Sequence, residues 1–382
     1  MKQALLGSQI FCGERFYDHH ALLIDGNSII EIVDEKNIPN AFNKIELDQG
    51  ILAPGFIDLQ VNGGGGVLFN NNPTKENLNT IINAHQFFGT TSIMPTVISD
   101  SFEVLNKCIE TVNQEIKKNS GLIGIHIEGP FFSLKYRGVH QKKYINKLNS
   151  EYFELFSSLK GFPVILTLAP ECISMKDLNH LASLGMKIMA GHTDANYYEL
   201  GQAAKNNLNG FTHLFNAMSQ MSAREPGAVG AALDFDNLYA SIIVDLHHVH
   251  HSLIELAYQK KPIGKLFFIS DSMATINHGE PTFELYDEIV SEQNGRITNA
   301  EGKLAGSSIT QIDAVKNACQ QCNIPLDHAL SMASRYPAEF IGVDKYLGSL
   351  KPNYRADLIH FDSNFKVKNV WASGVKIKGT TK

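Results

Sequence analysis

The apolar residues of this chain gather in short continuous runs, separated by stretches whose apolar positions fall at three- and four-residue spacing. The continuous runs lie near 53–59, 92–97, 122–128, 163–169, 186–191, 210–214, 239–245 and 265–271. Strands covered on both faces read this way, without in–out alternation. Between them, helical spacing predicts helices over 75–88, 101–118, 175–184, 197–206 and 251–258. Eight strands alternating with helices predict an α/β fold, a (β/α)8 TIM-like barrel. An open doubly wound sheet competes with it, but no Gly-x-Gly-x-x-Gly follows the first strand, and the four glycines at 63–66 lack that spacing.

Both ends of the chain read differently. Ala21–Ile24 and Ser28–Val33 are short β runs joined by the turn residues Asp25, Gly26 and Asn27. Near the other terminus, Ala356–Phe361 and Val367–Ala372 are followed by Ser373 and Gly374. These segments predict a small β-sandwich domain built from both termini. The expected division is 1–52 and 348–382 for that domain and 53–347 for the barrel.

Composition narrows the function. Of 382 residues, 43% are hydrophobic and 19% charged, with a net charge of −6. That balance, with no basic block, argues against nucleic acid as a partner. No run of about 18 apolar residues is present to span a membrane. The first residues lack the apolar core and small-residue cleavage site of a secretory leader, so a cytoplasmic location is expected. Five cysteines form no regular framework, and Cys319 and Cys322 make a lone CxxC within a helix expected over 309–322. Reduced thiols are the simpler reading.

Chemistry sits at the ends of the apolar runs. The first leads to Asp58, Gln60 and Asn62, the third to Glu128, the fifth to His192, the sixth to His213 and the eighth to Asp271. A barrel gathers such strand ends at one mouth. Glu128, His192 and His213 match the three-ligand set of a catalytic zinc that keeps one position open. A lone histidine beside an apolar run is more often a core residue; three such side chains at three strand ends are harder to explain by packing. Asp271 suits a general base next to an activated water, or caps the helix that follows. His140 could polarise a carbonyl or lie on the surface. Of the tract His247, His248, His250 and His251, one imidazole at most can aim into the mouth. Arg224, among turn residues, suits a phosphate or stays solvated, and 304–307 offers small residues and backbone donors. His126 is read as pointing the opposite way from Glu128's neighbours in the strand register and as structural.

These motifs together resemble the amidohydrolase superfamily, and within it the N-acetylglucosamine-6-phosphate deacetylase family. The resemblance rests on 54–63, 126–131, 191–193, 212–218, 224–227, 270–271 and 304–307, in that order. It implies metal ligation by Glu128, His192 and His213, acid/base work by Asp271, and His140 near the acetyl carbonyl. It further implies sugar-phosphate contacts from Val139, His140, Asn216, Ala217, Arg224, Asp245, His248, Leu304, Ala305 and Gly306. Relatives of this kind are homo-oligomers, so a homodimer or dimer-based tetramer is expected, with Arg224 and His248 reaching the phosphate site across the interface. Many amidohydrolases hold a second metal with His-x-His at the first strand; here Gln60 and Asn62 occupy that spacing as vestigial second-metal positions. Neutral amides are poor zinc ligands, so one divalent ion per subunit, zinc, is expected. The implied reaction is hydrolysis of the N-acetyl amide of an amino-sugar 6-phosphate, with the galactosamine epimer as the alternative substrate. A silent binding protein would lack Asp271 or a ligand, and a binuclear cyclic amidase would keep the His-x-His pair.

Overall fold

A computed structural model of the protein describes residues 1–378. Eight parallel strands form its centre: β1 (Phe56–Val61), β2 (Thr90–Ile98), β3 (Ile125–Glu128), β4 (Val164–Leu168), β5 (Lys187–Ala190), β6 (Leu208–Phe211), β7 (Tyr239–Ile242) and β8 (Leu266–Phe268). Each pairs with the next in chain order. The edges β1 and β8 meet through a parallel bridge between Val61 and Ser272 and through the Asp271 N–H, which donates to the Gln60 carbonyl at 2.9 Å. Asp58 reinforces the seam: its Oδ1 accepts from the Ser270 N–H at 3.1 Å. The sheet is thus a closed barrel, which leaves no exposed edge.

Helices begin where the sequence supplies caps. Thr74, Ser101, Ser174 and Asn196 each accept a backbone N–H in the first turn of Lys75–Gln86, Phe102–Glu115, Met175–Ser183 and Tyr197–Lys205. Their apolar stripes, such as Leu78, Ile81 and Ile82, bury against the barrel strands.

Two further sheets join the chain ends. In one, Lys2–Leu6 lies between His20–Asp25 and Asn43–Glu46. In the other, Leu358–Phe361 pairs antiparallel with Ile51–Pro54. Leu5, Leu22 and Ile24 of the first pack with Ile10, Leu52, Leu358 and Trp371 of the second. The last four positions of the expected 348–382 segment lie outside the described residues. A fourth sheet has no counterpart in the sequence reading. Thr282–Leu285, Glu288–Gln293, Arg296–Thr298 and Leu304–Ser307 form a consecutive antiparallel insertion after β8. Leu285, Val290, Ile297 and Ala305 seat it on Leu68, Ile98 and Met273 of the barrel rim.

One glycine ties the chain ends together. Gly374 has φ +76°, and a Cβ there would stand 1.9 Å from the Gly26 carbonyl oxygen in the other terminal segment. Gly374→Ala should therefore cost about 2–4 kcal/mol of stability, from left-handed strain plus backbone displacement. Thermal unfolding should show the loss, while turnover per folded molecule stays at the wild-type value.

Candidate metal and catalytic site

Three donor atoms converge at the C-terminal mouth of the barrel. His213 Nε2 lies 3.1 Å from Glu128 Oε1 and 3.1 Å from His192 Nε2, and the third side of the triangle is 3.3 Å. Ligands of a tetrahedral ion with bonds of about 2.0–2.1 Å stand about 3.3 Å apart, so the triangle has the dimensions of one face of such a site. All three side chains are buried. Backbone conformation aims two of them: His192 at φ +49° and His213 at φ +37° turn sharply off their strands, as Asp271 does at +51°. Left-handed backbone at non-glycine residues costs about 1–3 kcal/mol each and gathers where function demands it.

Hydrogen bonds decide which nitrogens face inward as lone pairs. His192 Nδ1 lies 2.9 Å from the Tyr136 carbonyl, which can only accept. The proton of neutral His192 is therefore on Nδ1, and its Nε2 presents a lone pair to a carboxylate oxygen. Burial lowers the His192 pKa, which favours that neutral form. Burial also raises the Glu128 carboxyl, but the approach of His192 and His213 outweighs it and holds the group well below the usual carboxylate range. Burial alone would lower His213; Glu128 outweighs it and raises the imidazole. Acceptors so closely opposed need a cation between them, whether a proton or a metal ion.

His140 offers a second arrangement, since Glu128, His140 and His192 also have ligand atoms within 4.8 Å of one another. Its Nδ1, however, accepts the Ser99 backbone N–H at 3.3 Å. In the neutral ring the proton then sits on Nε2, which makes that nitrogen a donor and not a metal ligand. Burial, with His192 beside it, pushes the His140 pKa down to about 3, so the ring is neutral.

Gln60 and Asn62 have a different duty from empty ligand positions. Gln60 Nε2 donates to both Glu128 Oε1 and Asp271 Oδ1, each at 3.1 Å, and Asn62 Nδ2 donates to Asp271 Oδ1 at 2.7 Å. Their N–H groups place positive dipoles beside the two carboxylates. Burial and the charge of Glu128 raise Asp271 to about 7 despite those bonds.

A cavity of about 320 Å³ opens above this cluster. Of the expected substrate contacts, Val139, His140, Asn216, Ala217, His248, Leu304, Ala305 and Gly306 line it, together with Asn62. Lys135, Tyr136 and Ile243 line it as well, without having been singled out in the sequence. Asp245 does not line it: its Oδ2 lies 2.6 Å from His248 Nδ1 and holds that ring from behind. His248 faces the cavity of its own chain, whereas Arg224 is exposed and stands outside that lining. Residues two apart on a strand share a face, so His126 points inward below Glu128, where its Nε2 meets Thr167 Oγ1 at 2.7 Å.

A family model described as Amidohydrolase family matches residues 51–377. An N-acetylgalactosamine-6-phosphate deacetylase of a Shewanella species is 36% identical over 329 residues, covering 86% of this chain and 83% of that protein. An N-acetylglucosamine-6-phosphate deacetylase of Haemophilus influenzae is 33% identical, covering 98% and 99%. The crystal structure of N-acetylglucosamine-6-phosphate deacetylase from Pasteurella multocida superposes with a TM-score of 0.96 at 32% identity, over 99% of this chain and all of that one. Strand order, the inward-facing donors and these matches agree: the chain belongs to the amidohydrolase family.

Proposed function

We propose that the protein is a metal-dependent deacetylase that hydrolyses the N-acetyl amide of N-acetylglucosamine 6-phosphate to glucosamine 6-phosphate and acetate. The observation that carries this reading is the triangle of Glu128 Oε1, His192 Nε2 and His213 Nε2 beside a carboxylate whose pKa is raised to about 7. Those three residues would hold one divalent ion, with zinc suited to two imidazoles and a carboxylate. The bound ion would supply Lewis acidity toward the amide carbonyl and toward the attacking water. Asp271 takes the proton of that water as it attacks, then delivers it to the departing amine nitrogen. His140, with its proton on Nε2, donates to the developing oxyanion. His248, braced by Asp245, and Arg224 of a neighbouring copy in a homo-oligomer bind the phosphate, so that remote binding orients the amide.

The 36% identity to the Shewanella enzyme favours a second reading, the galactosamine epimer. Acetate release measured on both 6-phosphorylated epimers and on the unphosphorylated sugar, with metal content determined in parallel, tests both. The expected result is one ion per chain, and a kcat/KM for the unphosphorylated sugar lower by about 100-fold or more, the scale of a lost charged contact. Equal rates with and without phosphate would remove the phosphate pocket, and two ions per chain would remove the mononuclear site.

Asp271 also predicts a pH signature. As a base it must be ionised, so kcat/KM falls toward acid, and a bound cation shifts that limb below the metal-free value of about 7. In the metal-free protein the folded pKa stands above the unfolded value of about 3.9. The folded state then keeps a proton that the unfolded chain has released, and stability falls as pH rises from about 4 to about 7. Asp271→Asn removes this loss: the metal-free variant should melt at a higher temperature than wild type at about pH 8 and at a similar one near pH 4. Its kcat should drop by about 100-fold or more. Equal melting at the two pH values, or a near-normal kcat, would contradict the role given to Asp271.

A further inference from the structure

The insertion after β8 touches the Asp271 turn directly and reaches His140 through Ser99. On one side, the Ser307 N–H donates to the Asp271 carbonyl at 2.9 Å, and Ser307 Oγ donates to the Ser270 carbonyl at 2.5 Å. Asp271 sits at φ +51°, and its own N–H is held by the Gln60 carbonyl. The left-handed turn that aims its carboxylate is therefore bracketed between β1 and the strand Leu304–Ser307. The approach is close enough to require Gly306, where a Cβ would stand 2.8 Å from the Asp271 carbonyl oxygen and 2.6 Å from the Met273 side chain. On the other side, the Tyr286 hydroxyl donates to the Ser99 carbonyl at 2.7 Å. Ser99 in turn gives its N–H to His140 Nδ1, the bond that fixes the proton on the inward nitrogen. Ser99 Oγ also donates to the Glu128 carbonyl at 3.3 Å.

We propose that Ser307 and Tyr286 are positioning residues, through which the insertion sets the acid/base carboxylate and the oxyanion donor relative to each other. Neither side chain lines the cavity, whereas Leu304, Ala305 and Gly306, on the same strand as Ser307, do. Substrate seated against 304–306 therefore presses on the element that holds Asp271. Glycine at 306 lets the strand approach, and the paired bonds of Ser307 keep the strained turn from relaxing. A displacement of about 1 Å at a reacting group can cost about 100-fold in rate, so each support should appear in kcat. This inference rests on the roles assigned above to Asp271 and His140.

The test compares Ser307→Ala, Tyr286→Phe and Asp271→Asn in the metal-loaded enzyme. Active sites are counted by titration with a phosphonamidate analogue of the tetrahedral intermediate, so that loss of folded protein does not pass for loss of rate. Ser307→Ala should lower kcat per titrated site by about tenfold or more, and Tyr286→Phe by about threefold or more, with KM within about twofold and one ion retained. Tyr286→Phe removes only a hydroxyl from a half-buried ring, so it keeps the test alive if Ser307→Ala folds poorly. If both variants turn over at the wild-type rate per site while Asp271→Asn is nearly inactive, the positioning roles are wrong and the active-site reading stands. A fall matched throughout by lost metal or by a rise in KM also overturns them. If Asp271→Asn itself turns over normally, the reading of the site fails first.

Discussion

One buried carboxylate organises the mouth of this barrel. Glu128 receives the Gln60 amide and the close approach of two imidazole nitrogens on a single oxygen. Taking a carboxylate out of water costs several kcal/mol unless partners replace the lost hydration. One of these partners is not a donor: His192 has committed its proton to the Tyr136 carbonyl and turns a lone pair inward. The arrangement calls for positive charge at its centre, which a bound metal ion would supply. Its neighbours answer the same electrostatic demand. Gln60 and Asn62 point N–H groups at Glu128 and Asp271, which lets two carboxylates stand close.

The fold delivers these groups by a simple rule and then departs from it. Parallel strands end at one face, so Glu128 arrives at the tip of β3 without special conformation. His192, His213 and Asp271 lie beyond their strands and reach the mouth through left-handed turns. Such turns persist only where surrounding bonds over-determine them. His213 donates its N–H to Ser241 Oγ at 2.9 Å, and Asp271 is clasped between β1 and the insertion. Barrel closure, strained backbone and the proposed acid/base carboxylate therefore meet along the single seam of β1, β8 and Leu304–Ser307.

Much of this was legible in the chain, for physical reasons. Fully buried parallel strands leave continuous apolar runs, and capped helices announce their starts, so the barrel could be read directly. Ligand types at strand ends pointed to the metal. What escaped was relational. Gln60 and Asn62 could be read as non-ligands, but their positive role depends on carboxylates 68 to 211 residues away. The insertion did carry a signal: Asn294 and Gly295, at φ +54° and +78°, form a two-residue hairpin turn between Gln293 and Arg296. Its strands are short, and Glu288 and Glu292 flank Val290 on the apolar face while Ile289 lies exposed on the other, which blurs the alternation. Asp245 and His248 were both expected at the substrate, and the sequence does not separate the ring that faces the cavity from the carboxylate that braces it.

The central claim is that proton placement sorts the histidines, with His192 and His213 binding the ion while His140 donates from the side. X-ray absorption and anomalous diffraction at the metal edge of the zinc-loaded protein test it most directly. The account predicts one ion with two imidazole nitrogens and one carboxylate oxygen at about 2.0–2.2 Å, assigned to His192, His213 and Glu128, with His140 Nε2 beyond bonding distance. An ion bonded to His140 in place of His213, or a second ion beside Gln60 and Asn62, would contradict it.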